Sequence, residues 1–200
     1  MDLLIGMPLG ILASLVAWWI IFHGLMPVLE FSPSIGKITD ESSPNGFKYR
    51  VKIVNSGRRD ILDVEFFARI SIKGIRTRYP DNISNFDLRL SSSRTPVIER
   101  KKNKLIRIYP EHLKLPAEVG APELKTLEDI MEFRGQASIT IFCFGFDAFT
   151  GTRHLFKSKA YKRGNIEFGF FFLKNCLEVD KGNSVAPRVK GQALASSDEK

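Results

Sequence analysis

The groups with chemistry to offer are cations, and they gather in turns. Arg100, Lys101, Lys102 and Lys104 crowd one loop with Arg107 just beyond it, while Arg58-Arg59 and Arg76/Arg78 mark two other turns. Guanidinium and ammonium groups clustered this way neutralise phosphates and release counterions. These residues form the candidate polyanion site, and a nucleic-acid oligomer, such as single-stranded DNA, or a nucleotide would be held there by its backbone. Anionic lipid headgroups are the rival ligand, because juxtamembrane basic residues are drawn to them.

Other chemistry is excluded. His23, His112 and His154 are the three histidines, scattered with no zincin spacing, and no phosphate loop, dinucleotide fingerprint or serine nucleophile elbow occurs. The acidic pairs Glu128/Asp129 and Asp60/Asp63 fit a helix face and a turn better than acid–base machinery. Cys143, in an apolar strand pattern, and Cys176, near the tail, show neither metal spacing nor a disulfide framework. No catalytic residue, metal or cofactor is expected, and the chain reads as a non-enzyme.

The element that must position these cations comes first. Leu3 to Phe22 is free of charge, with Ser14 its single hydroxyl. As a helix it reaches roughly 30 Å, the thickness of a bilayer's hydrocarbon core. Trp18 and Trp19 sit at one end, where indoles form an interface belt. Only Met1-Asp2 precedes the run, with no basic segment, and no A-x-A-like site follows, so a retained span is expected rather than a cleaved signal. Gly6, Gly10, Ala13, Ser14 and Ala17 supply a small-residue side for helix contact or a pore. All 30 Lys and Arg lie after residue 30, with 20 of the 22 acids. The cations nearest the span, Lys37, Lys48, Arg50 and Lys52, lie downstream of it, which predicts one pass through an inner or plasma membrane with the soluble domain in the cytoplasm.

Beyond the span, alternation predicts strands. In FKYRVKIVN, Phe47, Tyr49, Val51 and Ile53 oppose a cationic face of Lys48, Arg50 and Lys52. A second strand runs from Ile61 to Ile72, with weaker ones at Phe86–Leu90, Val97-Ile98 and Leu105–Tyr109. Ala137 to Phe146 is apolar throughout and reads as central and buried on both faces. Arg153–Tyr161 and Ile166–Leu173 complete the set. Leu124 to Phe133 is helical, with Thr126 as its cap. The expected fold is mainly β, an immunoglobulin-like antiparallel β-sandwich preceded by one transmembrane α-helix. Its parts are a helix and connector over 1–30, a linker over 31–46, the sandwich over 47–177 and a disordered tail over 178–200.

Tyr49-Arg50-Val51, then Asn55, Arg58 and Leu62, then Val64-Glu65 and Ala68-Arg69 follow in type and order the first strand–turn–strand of a known domain. Phe86–Leu90 with Pro96-Val97-Ile98-Glu99, Pro122-Glu123-Leu124 before Thr126–Ile130, and Ile139–Phe146 with Tyr161 and Ile166–Gly169 continue the series. Over about residues 45 to 172 the chain resembles the cytoplasmic domain of inward-rectifier potassium channels. The resemblance implies a fourfold ring beneath a pore, hence a homotetramer gated by ligand. The family's second membrane helix and its T-x-G-Y-G-like filter are missing here, so potassium selectivity does not carry over. A single span under a basic ligand-sensing domain also resembles membrane effectors of bacterial anti-phage defence, including the channel subunit of the Hailong type, in which a nucleic-acid oligomer would hold the effector shut.

The expected function is an oligomeric single-span membrane effector: a ligand-gated ion pore with a basic β-sandwich that senses an anionic ligand. The alternative is a membrane-anchored adaptor whose sandwich binds a protein partner, with no pore.

Overall fold

The computed structural model describes residues 2–24, 26–75, 81–115, 126–132, 136–172 and 175–181. Helix α1 (Asp2–Gly24) is followed by strands β1 (Leu29–Phe31), β2 (Ile35–Thr39), β3 (Phe47–Asn55), β4 (Ile61–Lys73), β5 (Ile83–Leu90), β6 (Arg94–Ile98) and β7 (Asn103–Tyr109). The short helix α2 (Leu127–Glu132) precedes β8 (Ala137–Asp147), β9 (Arg153–Lys157), β10 (Ile166–Phe168), β11 (Phe170–Phe171) and β12 (Val179–Asp180).

Ten of these strands form one mixed sheet in the order β10-β2-β3-β7-β5-β4-β8-β9, with β1 also on β3 and β6 also on β4. The sheet folds over on itself at β5, whose residues from Ile83 to Leu88 pair with β4 while Arg89 and Leu90 pair with β7. The result is sandwich-like. Tyr49, Val51, Ile53, Ile106 and Ile108 from one layer pack against Phe66, Ala68, Ile70, Ile72, Ile139, Ile141 and Cys143 from the other, all buried. Burial of such aliphatic and aromatic side chains, at about 25 cal/mol per Å², is what holds the layers together. Gly145 lies on the inner face because a Cβ there would come within 2.4 Å of the Ile61 side chain.

The main strands lie where alternation puts them, and three expectations are corrected. The sheet is not purely antiparallel, since β10 runs parallel to β2. Residues 31–46 are not a spacer: β2 pairs with β3 from Gly36↔Arg50 to Thr39↔Phe47, and Ile35 and Ile38 are buried. The short polar side chains of this stretch hide its strand signal. Strand β8 is not buried on both faces, because it alternates strictly between buried and half-buried residues. Its outer face carries Phe142, Phe144 and Phe146, so apolar residues throughout do not here mean two covered faces. Strand β9 ends at Lys157, with Tyr161 joining by an isolated bridge to Ile139, and the last predicted strand splits into β10 and β11 at Gly169, whose φ is +139°. Of the expected tail, Val179 and Asp180 pair with β11, and residues from 182 onward lie outside the described residues.

Helix α2 is capped as its sequence predicts, with the Thr126 hydroxyl accepting from Asp129 N–H and the Asp129 carboxylate accepting from Thr126 N–H. It is clamped from below by Glu128, which takes 2.5 Å bonds from both Lys37 Nζ and the Tyr49 hydroxyl.

From Met7 to Ile21 every side chain of α1 is exposed. Among the described residues no helix is long and apolar enough to cross a membrane. The expectation of a transmembrane helix is therefore not met within the described residues.

Ile141 is fully buried at the interface of the layers. Replacing it with Ala is expected to cost roughly 2–5 kcal/mol by leaving a cavity, read from the denaturant midpoint of the chain. A loss near zero would mean that β8 does not pack on the core.

Candidate functional site

Three turns meet at one end of the sandwich. They are the β3–β4 turn with Arg58 and Arg59, the β6–β7 turn with Arg100, Lys101 and Lys102, and the β8–β9 turn with Phe149. Asn55, fully buried at the end of β3, ties the first two together. Its Nδ2 donates to the carbonyls of Arg59 (2.8 Å) and Ile98 (3.0 Å), and its Oδ1 accepts from Gly57 N–H (3.1 Å). Its backbone N–H donates to the Lys102 carbonyl, and its own carbonyl accepts from Lys101 N–H. Lys101 adopts a left-handed φ of 58°, so the β6–β7 turn is bent tightly around this anchor. Asp60 fixes the same turn by accepting from Arg100 N–H at 2.7 Å.

Asp147 ties in the third turn. Its carboxylate accepts from Arg59 Nη1 (2.8 Å), the Thr150 hydroxyl (2.7 Å) and Phe149 N–H (3.1 Å), and it is 2% exposed. Burial alone would raise its pKa, but these hydrogen bonds and the adjacent guanidinium outweigh it and hold the carboxyl below the usual carboxylate range. The Arg59 guanidinium also lies 4.4 Å from the ring centre of Phe149, whose side chain is 72% exposed.

Helix α1 reaches the same end. Arg59 Nη2 donates to the Ile21 carbonyl (3.1 Å), one of the last-turn carbonyls that lack an intrahelical partner. Just beyond, Ser56 and Gly57 donate to the Val28 carbonyl, and a Cβ on Gly57 would sit 2.4 Å from Val28 N. The chain leaving the helix is thus pressed against the basic turns.

The structure brings together Arg58, Arg59, Arg100, Lys101 and Lys102. Lys104 is half-buried beside them and lines a shallow groove with Val97, Ile98, Glu99, Lys102 and Asn103. Arg107 does not belong to the group: it points to the β2–β3 turn, donating to the Ser43 hydroxyl (3.0 Å) near Asp40. Arg76 and Arg78 lie outside the described residues. The expected cationic face of β3 is also corrected. Lys52 is 1% exposed and donates to the carbonyls of Phe172 (2.6 Å) and Cys176 (2.8 Å), which lowers its availability to any ligand. Desolvation pulls its pKa down.

Phe149 was missed because a single aromatic in the turn DAFTG looks incidental; its exposure amid polar turn residues was the signal. The outer face of β8 was also misjudged. Phe142, Phe144 and Phe146 lie in solvent-facing rows with Arg69, Arg153 and Lys157 within 6 Å of their rings. Arg69 and Arg153 are also paired with Asp87 and Glu65, so this face is largely self-neutralised. The ring of His154 lies 6.1 Å from that of Phe156, tilted by 34°. Burial pushes the Cys143 thiol up to about 12, which keeps it protonated and unreactive. Among the described residues no group of His, Cys, Asp and Glu is placed to hold a metal.

No protein-family model and no curated protein matches the chain.

Removing the Asp147 carboxylate leaves Arg59, itself mostly buried, without its charge partner. Asp147→Ala is expected to cost roughly 3–5 kcal/mol, measured by denaturant unfolding. A carboxylate held below its unfolded pKa stabilises the fold at neutral pH and withdraws that contribution as the pH falls through its lowered folded value. The melting temperature of the wild type should therefore fall more on acidification below the usual carboxylate range than that of Asp147→Asn. Equal acid sensitivity would show that this pair does not couple to folding.

Proposed function

We propose that the chain is a single-span membrane effector that assembles through α1 into a homo-oligomeric ion pore. The sandwich, read as immunoglobulin-like, would gate that pore by holding an anionic ligand at its basic end. The observation that carries this reading is the position of Arg59. It belongs to the basic cluster and at the same time holds the last turn of the helix, so a ligand arriving there touches the element that would line or close a pore. The uncharged run from Leu3 to Phe22 is long enough in sequence to span the hydrocarbon core, at roughly 30 Å. One helix cannot enclose water, so a pore requires several copies, and the small-residue side supplies a contact surface. Met7, Gly10, Ile11, Ser14, Leu15 and Trp18 line an open apolar groove along it, and Ser14 returns its hydroxyl to the Gly10 carbonyl, leaving the face apolar.

Cysteines placed singly at Gly10, Ser14 and Ala17 in the full chain, in membranes, should cross-link into stronger ladders than cysteines at Leu12 and Val16, which lie off the groove. Equal ladders at all five positions would overturn helix packing through the small side. Purified chain in liposomes should dissipate an ion gradient; an intact gradient with strong cross-linking would instead favour the anchored adaptor without a pore.

A further inference from the structure

The basic end has a composition and a location that specify its partner more closely than charge alone. Arg58, Arg100, Lys101 and Lys102 are exposed on turns that meet around Asn55, and the acids beside them are engaged or outnumbered. Asp147 is held by Arg59, Asp60 accepts from Arg100 N–H, and Glu99 is the exposed acid of the β6–β7 turn. Among these cations stands Phe149, 72% exposed, with Met26 and Val28 also exposed where the chain leaves the helix. An aromatic ring raised on a polar turn among cations suits the boundary between headgroups and acyl chains. A nucleic-acid strand held by its phosphates would use the cations alone, whereas exposed Phe149, Met26 and Val28 beside them add the apolar surface that a bilayer boundary takes up.

Location decides the rest. The Arg59 bond to the Ile21 carbonyl and the seating of Val28 on Gly57 put these turns at the end of α1. If that helix lies in a bilayer, its exit is at the headgroup layer.

We propose that this end of the sandwich is a docking face for the anionic headgroup layer of the bilayer, with Phe149 seated at the interface and Arg58, Arg100, Lys101 and Lys102 on the phosphates. It rests on the membrane reading of α1 and names the anionic ligand of that reading. The docked turns hold the sandwich against the membrane beside Arg59, which grips the helix end.

The test uses the full chain carrying Cys176→Ser and Phe149→Cys, labelled at residue 149 with a polarity-sensitive fluorophore; Cys143 is buried and does not label. The chain is placed in nanodiscs of phosphatidylcholine alone or with phosphatidylglycerol. A blue shift is expected with phosphatidylglycerol and not without it, weakening as salt rises. Arg100→Gln, Lys101→Gln and Lys102→Gln together should weaken the lipid dependence on the order of a hundredfold in the phosphatidylglycerol content required. These are exposed turn residues, and an unchanged melting temperature checks that the variant is folded. Identical emission in both lipids, or an unchanged response in the folded triple variant, would overturn the docking face. So would a shift produced in phosphatidylcholine discs by a short single-stranded DNA but not by phosphatidylglycerol, which would give the surface to nucleic acid. Alkaline carbonate extraction separates the two readings. Release of the chain from membranes with the lipid-dependent shift intact sinks the span and leaves the docking face. Resistance to extraction without the shift does the reverse.

Discussion

One buried carboxamide holds the helix-proximal end of this protein in shape. Asn55 closes β3 where the β3–β4 turn meets the end of β6, and its side chain donates two hydrogen bonds and accepts one there. Without Asn55 the Arg59 and Ile98 carbonyls would lose that donor, and an unsatisfied buried group costs about 1–3 kcal/mol. Its backbone continues the ladder into the β6–β7 turn. A hydrophobic residue of equal size could fill the space, but the β3–β4 and β6–β7 turns would then lose their common reference. Asn55, with Asp60 on Arg100 N–H and the pairing of Ile61 with Ile98, holds Arg58, Arg59, Arg100, Lys101 and Lys102 at one end.

A second constraint separates the cations that face outward from those that build the fold. The basic composition suggests a surface covered in positive charge, yet several of these residues are internal fasteners. Lys37 and Tyr49 hold α2 through Glu128, and the Lys37 ammonium also lies 3.8 Å from the centre of the Phe47 ring. Lys52 threads through the sheet to hold the carbonyls of Phe172 and Cys176, fixing the segment that leads to β12. Arg107 and Lys48 converge on Asp40 at the β2–β3 turn. Such pairs replace water around groups that the fold covers, and losing one partner leaves the other stranded. The basic cluster on the turns that meet at Asn55 is smaller and better defined than net charge implies.

These distinctions set how far the sequence could be read. An unbroken apolar run located β8, and period-two alternation located β3, β4 and β7 closely, because each has one face against the core and its apolar positions must repeat. It failed for β2, where Ser32, Ser34, Gly36 and Lys37 are buried through hydrogen bonds and close packing that hydropathy does not register. It misjudged β8, where phenylalanine on an exposed row reads the same as phenylalanine in a core; only the register against Arg69, Arg153 and Lys157 tells them apart. The cation turns were legible as clusters, but their meeting was not, since it depends on pairings between residues about forty positions apart, such as Asn55 with Ile98. Arg107 was assigned by proximity in sequence, and one strand's length carried it away.

The junction at Arg59 has an asymmetry that bears on how a bound anion would act. The guanidinium makes two hydrogen bonds of unequal strength. The one to Asp147 is charge-assisted, nearly dry and reinforced by Thr150 and Phe149 N–H on the same carboxylate. The one to the Ile21 carbonyl is to a neutral acceptor and open to solvent. Both bonds have the ionised guanidinium as donor, and the one to Asp147 adds a charged acceptor in a site where water is excluded, which makes it the stronger. An anion competing for Arg59 therefore displaces the helix carbonyl before it displaces Asp147. The β8–β9 turn would stay in place while the last turn of α1 was let go, so on the proposed reading an anion at this end would act on the helix and not on the sandwich.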